Sequence, residues 1–147
     1  MADTGTWTTI SKVLDSGDNF MTFTAGADIS AGMVVAGHGT GVSDTVHPAV
    51  AGTTAFPIGV AIEDADSGDP VTIAGVGCIV YVREGTGNAI DAWSAVSDDD
   101  AAATGCIKTT VTTAEGFAIG VAVDDIAANG SGRILILPQL VSKSDQA

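Results

Sequence analysis

The side chains able to do chemistry in this 147-residue chain are few and scattered. His38 and His47 have no third ligand at a metal-binding interval, and two imidazoles do not complete a zinc site. Cys78 and Cys106 are too few and too far apart for paired C-x-x-C motifs. Cys78 sits in an apolar, strand-like run and Cys106 beside a glycine turn, which favours two small buried hydrophobes and leaves a disulfide between them open. No serine has a base in a triad or nucleophile-elbow context. Carboxylates are plentiful, fifteen of the eighteen being Asp, but they fall in Gly-rich turns, where Asp serves the backbone. The run from Asp64 resembles the start of a calcium loop. Its glycine, Gly68, stands fifth rather than sixth, and Gly75 occupies the twelfth position where Glu is required. Asp98, Asp99 and Asp100 are adjacent and cannot all aim at one ion. Gly37-His38-Gly39-Thr40-Gly41 lacks the Lys-Ser/Thr of a phosphate loop and a helix behind it. Seven aromatic residues are too few to line a carbohydrate cleft. No catalytic, cofactor-binding or metal-binding residue emerges, and an enzyme is not expected.

Charge narrows the partners further. A net charge of −13, with five basic residues, disfavours direct binding to nucleic acid, which needs clustered Lys and Arg. Self-repulsion opposes a compact state in dilute buffer, and at 1 M salt it is screened within about 3 Å. A saline habitat fits this balance, and so does an acidic surface serving solubility alone. The uncharged apolar runs fall short of the ~20 residues of a membrane helix. The first residues lack the basic and apolar regions of a secretory signal, so neither membrane nor secretion is expected.

The elements around these residues read as strands. Nineteen glycines and an apolar content dominated by Val, Ile and Ala suit many short strands with tight turns. Phe56-Pro57-Ile58-Gly59-Val60-Ala61-Ile62-Glu63-Asp64 returns 61 residues later as Phe117-Ala118-Ile119-Gly120-Val121-Ala122-Val123-Asp124-Asp125. The same offset aligns Ile29-Ser30-Ala31 with Ile90-Asp91-Ala92, and Val35 with Val96. Two tandem units, about 27–84 and 88–138, are therefore expected within one β-domain spanning 20–138. Residues 1–19 read as an N-terminal arm and 139–147 as a polar tail. Within the repeated strand, Phe56, Ile58, Val60 and Ile62 form a large apolar face. Gly59 and Ala61, with Gly120 and Ala122, form a small-residue face where the halves are expected to pack closely. Phe20-Met21-Thr22-Phe23-Thr24 alternates at strand period, and Gly77 to Arg83 reads as a strand covered on both faces. The fold class is all-β: a compact barrel or sandwich built from two ~60-residue pseudo-repeats behind an extended arm.

The order and spacing of these motifs resemble a known family. Gly26-Ala27-Asp28-Ile29-Ser30-Ala31-Gly32-Met33-Val34-Val35, the run Ile58 to Ile73 and the strand Gly77 to Val82 look like the capsid cement (head decoration) proteins of tailed double-stranded DNA viruses. Gly87-Asn88-Ala89-Ile90, Val96, Thr104 to Thr110 and Ile119-Gly120-Val121-Ala122 continue the pattern, so the resemblance covers roughly residues 20–138. It implies a non-enzymatic protein on the outer capsid surface, commonly a homotrimer, that bridges major capsid protein subunits. It brings no cofactor. The stretches 1–19 and 37–55 exceed the family's minimal pattern. The arm, with Trp7, Phe20 and Phe23, is expected to bind a partner, pairing with a coat-protein strand or crossing to the next cement subunit. The rival reading is a receptor- or glycan-binding module of a viral spike, distinguished by a low copy number per virion.

Overall fold

The computed structural model describes residues 12–37, 43–49, 57–85, 87–98, 107–109 and 116–141. These contain eleven strands: β1 (Leu14–Ser16), β2 (Phe20–Ala25), β3 (Val34–Gly37), β4 (Thr45–Pro48), β5 (Pro57–Ala61), β6 (Pro70–Ala74), β7 (Ile79–Arg83), β8 (Ala95–Asp98), β9 (Ile107–Thr109), β10 (Gly116–Ala122) and β11 (Ser131–Val141). No helix long and apolar enough to cross a membrane occurs among the described residues. The protein is all-β.

Strands β2, β4, β3, β5 and β6 form a closed five-stranded barrel in that order. Every pairing is antiparallel except β2 with β4, where Thr24 lies beside Thr45 and Ala25 beside Val46. Alternation turns Met21, Phe23 and Ala25 inward, where they join Ile29, Met33, Val35, Val46, Val71 and Ile73 in the barrel core. The second sheet runs β1-β7-β11-β10-β8-β9 and is antiparallel throughout. A single parallel bridge from Glu84 to Ile107 brings the far end of β7 to β9, as β2 meets β4 in the barrel. The inner face of this sheet supplies Val80, Val82, Ile90, Val96, Ile119, Ile126, Ile134 and Ile136 to a second core. Val34, Ala36, Val60 and Ala74, on the outside of the barrel, belong to that same core, so one wall of the barrel is also the lid of the second sheet. Each fully buried Val or Ile contributes roughly 1.5–3 kcal/mol relative to exposure.

Bonds in the two halves recur at the offset seen in the motif. Ile29 bridges Ala65, and 61 residues on Ile90 bridges Ile126. The Asp64 carboxylate accepts from Ala31 N–H at 2.8 Å, and the Asp125 carboxylate from Ala92 N–H at 2.9 Å. The Glu63 carboxylate accepts from Thr72 N–H at 2.9 Å, and the Asp124 carboxylate from Arg133 N–H at 3.1 Å. Gly32 and Trp93 each donate N–H to a carbonyl of the motif strand, that of Ala61 and Ala122, at 2.7 Å in both. Both residues have positive φ, 91° for Gly32 and 70° for Trp93.

Several expectations change in detail. The motif strand does not alternate cleanly, because Val35 pairs with Gly59 and Ala36 with Pro57, leaving Ile58 as a bulge. Ile58 and Ala61 consequently belong to the barrel core, while Val60 faces the second sheet. β10 shifts register likewise between Ala118 and Gly120. The glycines of the two motifs do not face one another, although β5 lies against β10 and β11. A Cβ on Gly59 would meet the Ala74 carbonyl, and one on Gly120 the Leu135 carbonyl, so each makes room for the return strand of its own half. Of the stretch 1–19, Val13 is buried in the core and Leu14–Ser16 pair with β7. β4 lies within the long 37–55 connection, and β11 continues past Pro138 to Val141, paired with Gly116. β7 is flanked by β1 and β11, but its side chains alternate buried and half-buried rather than being covered on both faces.

Candidate partner-binding surface

The chemically capable residues remain apart. Among the described residues, no three His, Cys, Asp or Glu side chains are placed to hold a metal. His47, half-buried on β4, sits against Gly26; His38 and Cys106 lie outside the described residues. Cys78 is a buried free thiol whose S–H reaches the Asn19 carbonyl at 3.6 Å. The acidic turn at 64–70 forms an open depression lined by Asp64, Asp66, Asp69 and Pro70. Its carboxylates serve the backbone instead, as with Asp64 on Ala31. Across the same turn, the Asp28 carboxylate accepts from Ser67 N–H at 2.9 Å.

Two charged groups tie strands together. Glu84, fully buried, accepts from the N–H groups of Gly87 and Asn88 at 3.0 Å and of Asn129 at 3.1 Å. Three charge-assisted bonds offset the desolvation of its carboxylate and join the end of β7 to the turn before β11. Arg133 on β11 donates to Asp124 at 2.8 and 2.9 Å and to Asp15 on β1 at 3.3 Å. Hydrogen bonding from Arg133 holds the Asp124 carboxyl below its ordinary value, outweighing partial desolvation. The same bonds, first to Asp124 and then to Asp15, raise the guanidinium.

What the molecule offers to a partner is apolar surface and a strand edge. Its exposed large hydrophobics are Trp93, 70% exposed, with Val76, Phe20 and Leu137. Three of these converge where the two sheets join. The Asn19 side chain donates to the Val76 carbonyl at 3.1 Å, Gly75 N–H donates to the Asn19 carbonyl, and Gly77 N–H donates to the Ile136 carbonyl. Phe20, Val76 and Leu137 flank these bonded residues. Of the three residues expected to bind a partner, Trp7 lies outside the described residues. Phe20 and Phe23 point opposite ways, because residues three apart on a strand fall on opposite faces. Phe20 is outside, and Phe23 packs against the barrel core. Trp93 was not singled out from sequence. The signal was available in the repeat, where the offset sets Trp93 against Gly32. A left-handed backbone costs a non-glycine residue roughly 1–2 kcal/mol, so folding alone gives no reason for an exposed Trp there.

A double β-structure with no reactive cluster and an apolar waist is the architecture of a structural interaction module. The sequence profile of the phage cement protein family matches residues 14–138, and the chain belongs to that family. Members are structural, non-enzymatic proteins of the virion's capsid surface. Among solved structures, the head fibre gp8.5 N base of bacteriophage phi29 is similar, with a TM-score of 0.55 and 19% identity over 81% of this chain and 93% of that one. At this identity the likeness is one of fold. No curated protein matches the chain.

Proposed function

We propose that this protein decorates the outside of an icosahedral phage head and stabilises it by bridging major capsid protein subunits, acting as a homotrimer. The observation that carries this reading is the family match across nearly the whole folded chain, supported by apolar side chains left exposed on a molecule with no reactive cluster. The body is built from two tandem units, about 27–84 and 88–138, and the contacts that recur 61 residues apart support that reading. The repeated strands are scaffold. The partner-facing groups are those that depart from the repeat: the residues before Lys12 with Trp7, the outward-facing Phe20, and Trp93.

The test is addition of purified protein to undecorated heads. Saturable binding at copy numbers comparable with the coat protein, and a higher temperature for DNA release, are the expected results. Trp93→Gly, which restores the residue tolerated in the first unit, is expected to weaken binding without lowering the melting temperature. Heads that take up no protein, or take it up only at a few special sites as a spike would, would overturn the reading.

A further inference from the structure

We infer that the edge of β2 at Phe20–Thr22 is a strand-docking site, and that its occupant is the N-terminal segment, residues 1–11, of a second copy of this chain. The inference rests on the two-unit reading above and names the surface through which copies join.

The argument begins with β7. In the two-unit reading β7 is the counterpart of β2, for each pairs with its return strand: Thr22 lies opposite Thr72 and Tyr81 opposite Arg133. Each also ends against the same neighbour: Ala25 lies beside Val46 on β4 and Glu84 beside Ile107 on β9. On β7 the free side nearer the waist is filled. β1 runs antiparallel to it, with Leu14 opposite Val80 and Ser16 opposite Ile79, and the N–H of Tyr81 donates to the Val13 carbonyl at 2.8 Å. The residue matching Tyr81 is Thr22. Thr24 N–H donates sideways to the Asp44 carbonyl and Gly26 N–H to the Val46 carbonyl, so at a period of two the N–H groups of Thr22 and Phe20 project on the same side. Among the described residues nothing meets them. The barrel therefore carries, on its β2 edge, the acceptor that the second sheet uses to hold an N-terminal strand. Phe20, Val76 and Leu137 supply exposed apolar surface beside it.

The direction of β1 selects the occupant. Its C-terminal end leads through Gly17–Asn19 into β2, and its N-terminal end points along β7 toward Arg83. Residues 1–11 thus leave the molecule heading away from their own β2 edge. Thr9-Ile10-Ser11, with neither Gly nor Pro, offers no turn to bring them back. Extended, eleven residues reach about 36 Å, and Thr6-Trp7-Thr8-Thr9-Ile10 has the β-branched and aromatic composition of a strand with one large anchor. Each chain holds one donor segment and one acceptor edge. That stoichiometry gives a head-to-tail contact, which closes into a ring when the rotation permits.

The experiment is native mass spectrometry and sedimentation of the full chain, of the chain lacking residues 1–11, and of Thr22→Pro. The proline removes only the outward N–H and sits on an edge, where it is tolerated. Phe20→Asp serves as a second edge variant should Thr22→Pro fold poorly, with melting temperatures as the control. The full chain is expected to assemble, and each variant alone to be monomeric at concentrations where the full chain is fully assembled. A one-to-one mixture of the truncated chain with Thr22→Pro is expected to give a heterodimer, since one supplies the edge and the other the strand. A monomeric full chain, or a truncated chain that assembles as well as the full one, overturns the inference. Binding of the truncated chain to heads, measured separately, shows whether the cement reading stands when the inference falls.

Discussion

Asp124 shows how a single position of the repeat can be used differently in each half. Its counterpart Glu63 accepts one backbone N–H, whereas Asp124 also takes two bonds from the Arg133 side chain. Its carboxyl is therefore held below the ordinary value in the folded state. On acidification the unfolded chain takes up that proton first, so the contribution is complete above about pH 3.9 and is lost as pH falls through the lower folded value. Asp124→Asn is expected to flatten the fall of melting temperature at the acid end of a pH series, with little change in its shape near neutrality. Gly120 is the complementary case, a residue required for what it lacks. Any side chain there would strike the Leu135 carbonyl, which cannot yield without moving β11. Gly120→Ala is expected to destabilise by about 1–3 kcal/mol, read as a melting temperature lower by several degrees. Gly59→Ala should behave alike against the Ala74 carbonyl.

Among the elements, β1 changes most between sequence and structure. Residues 1–19 look like one polar arm, since Val13 and Leu14 are isolated in a Thr- and Ser-rich context. Three short facts divide it: Val13 is in the core, Leu14–Ser16 pair with β7, and Asp15 accepts from Arg133. Truncation should expose the division. Removal of residues 1–11 is expected to leave the melting temperature within about 2 °C. Removal of residues 1–16 strips a buried Val and a strand from β7, at a cost of about 2–4 kcal/mol. A thermal scan of both constructs decides it, and equal losses would show that the boundary lies elsewhere. β2 teaches the converse. Its period was legible, yet grouping Phe20 with Phe23 as joint partner residues overlooked that the same period sends them to opposite faces.

At the scale of the molecule, the net charge of −13 meets a body whose described ion pairs are confined to Lys12, Asp15, Asp124 and Arg133. Most carboxylates cap turns or face water, so repulsion is offset by packing rather than by pairing. Melting temperature is expected to rise from dilute buffer to about 1 M NaCl as the screening length falls to about 3 Å. A flat profile would show the acidity to be ordinary surface solvation. The shared core adds a structural consequence. Because the outer wall of the barrel lines the second core, the halves are expected to unfold as one cooperative unit.

The sequence by itself determined the all-β class, the absence of a reactive cluster, the family and the duplicated strand, because these depend on local periodicity, composition and order along the chain. It could not show that Ile58 is a bulge, that the motif glycines admit their own return strands, or that β1 belongs to the body. Each of those depends on which strand lies beside which, and such pairings are set by long-range packing around two cores that share a wall. The exposed waist, with Phe20, Val76 and Leu137 brought together from three distant stretches, is likewise a product of the tertiary structure alone.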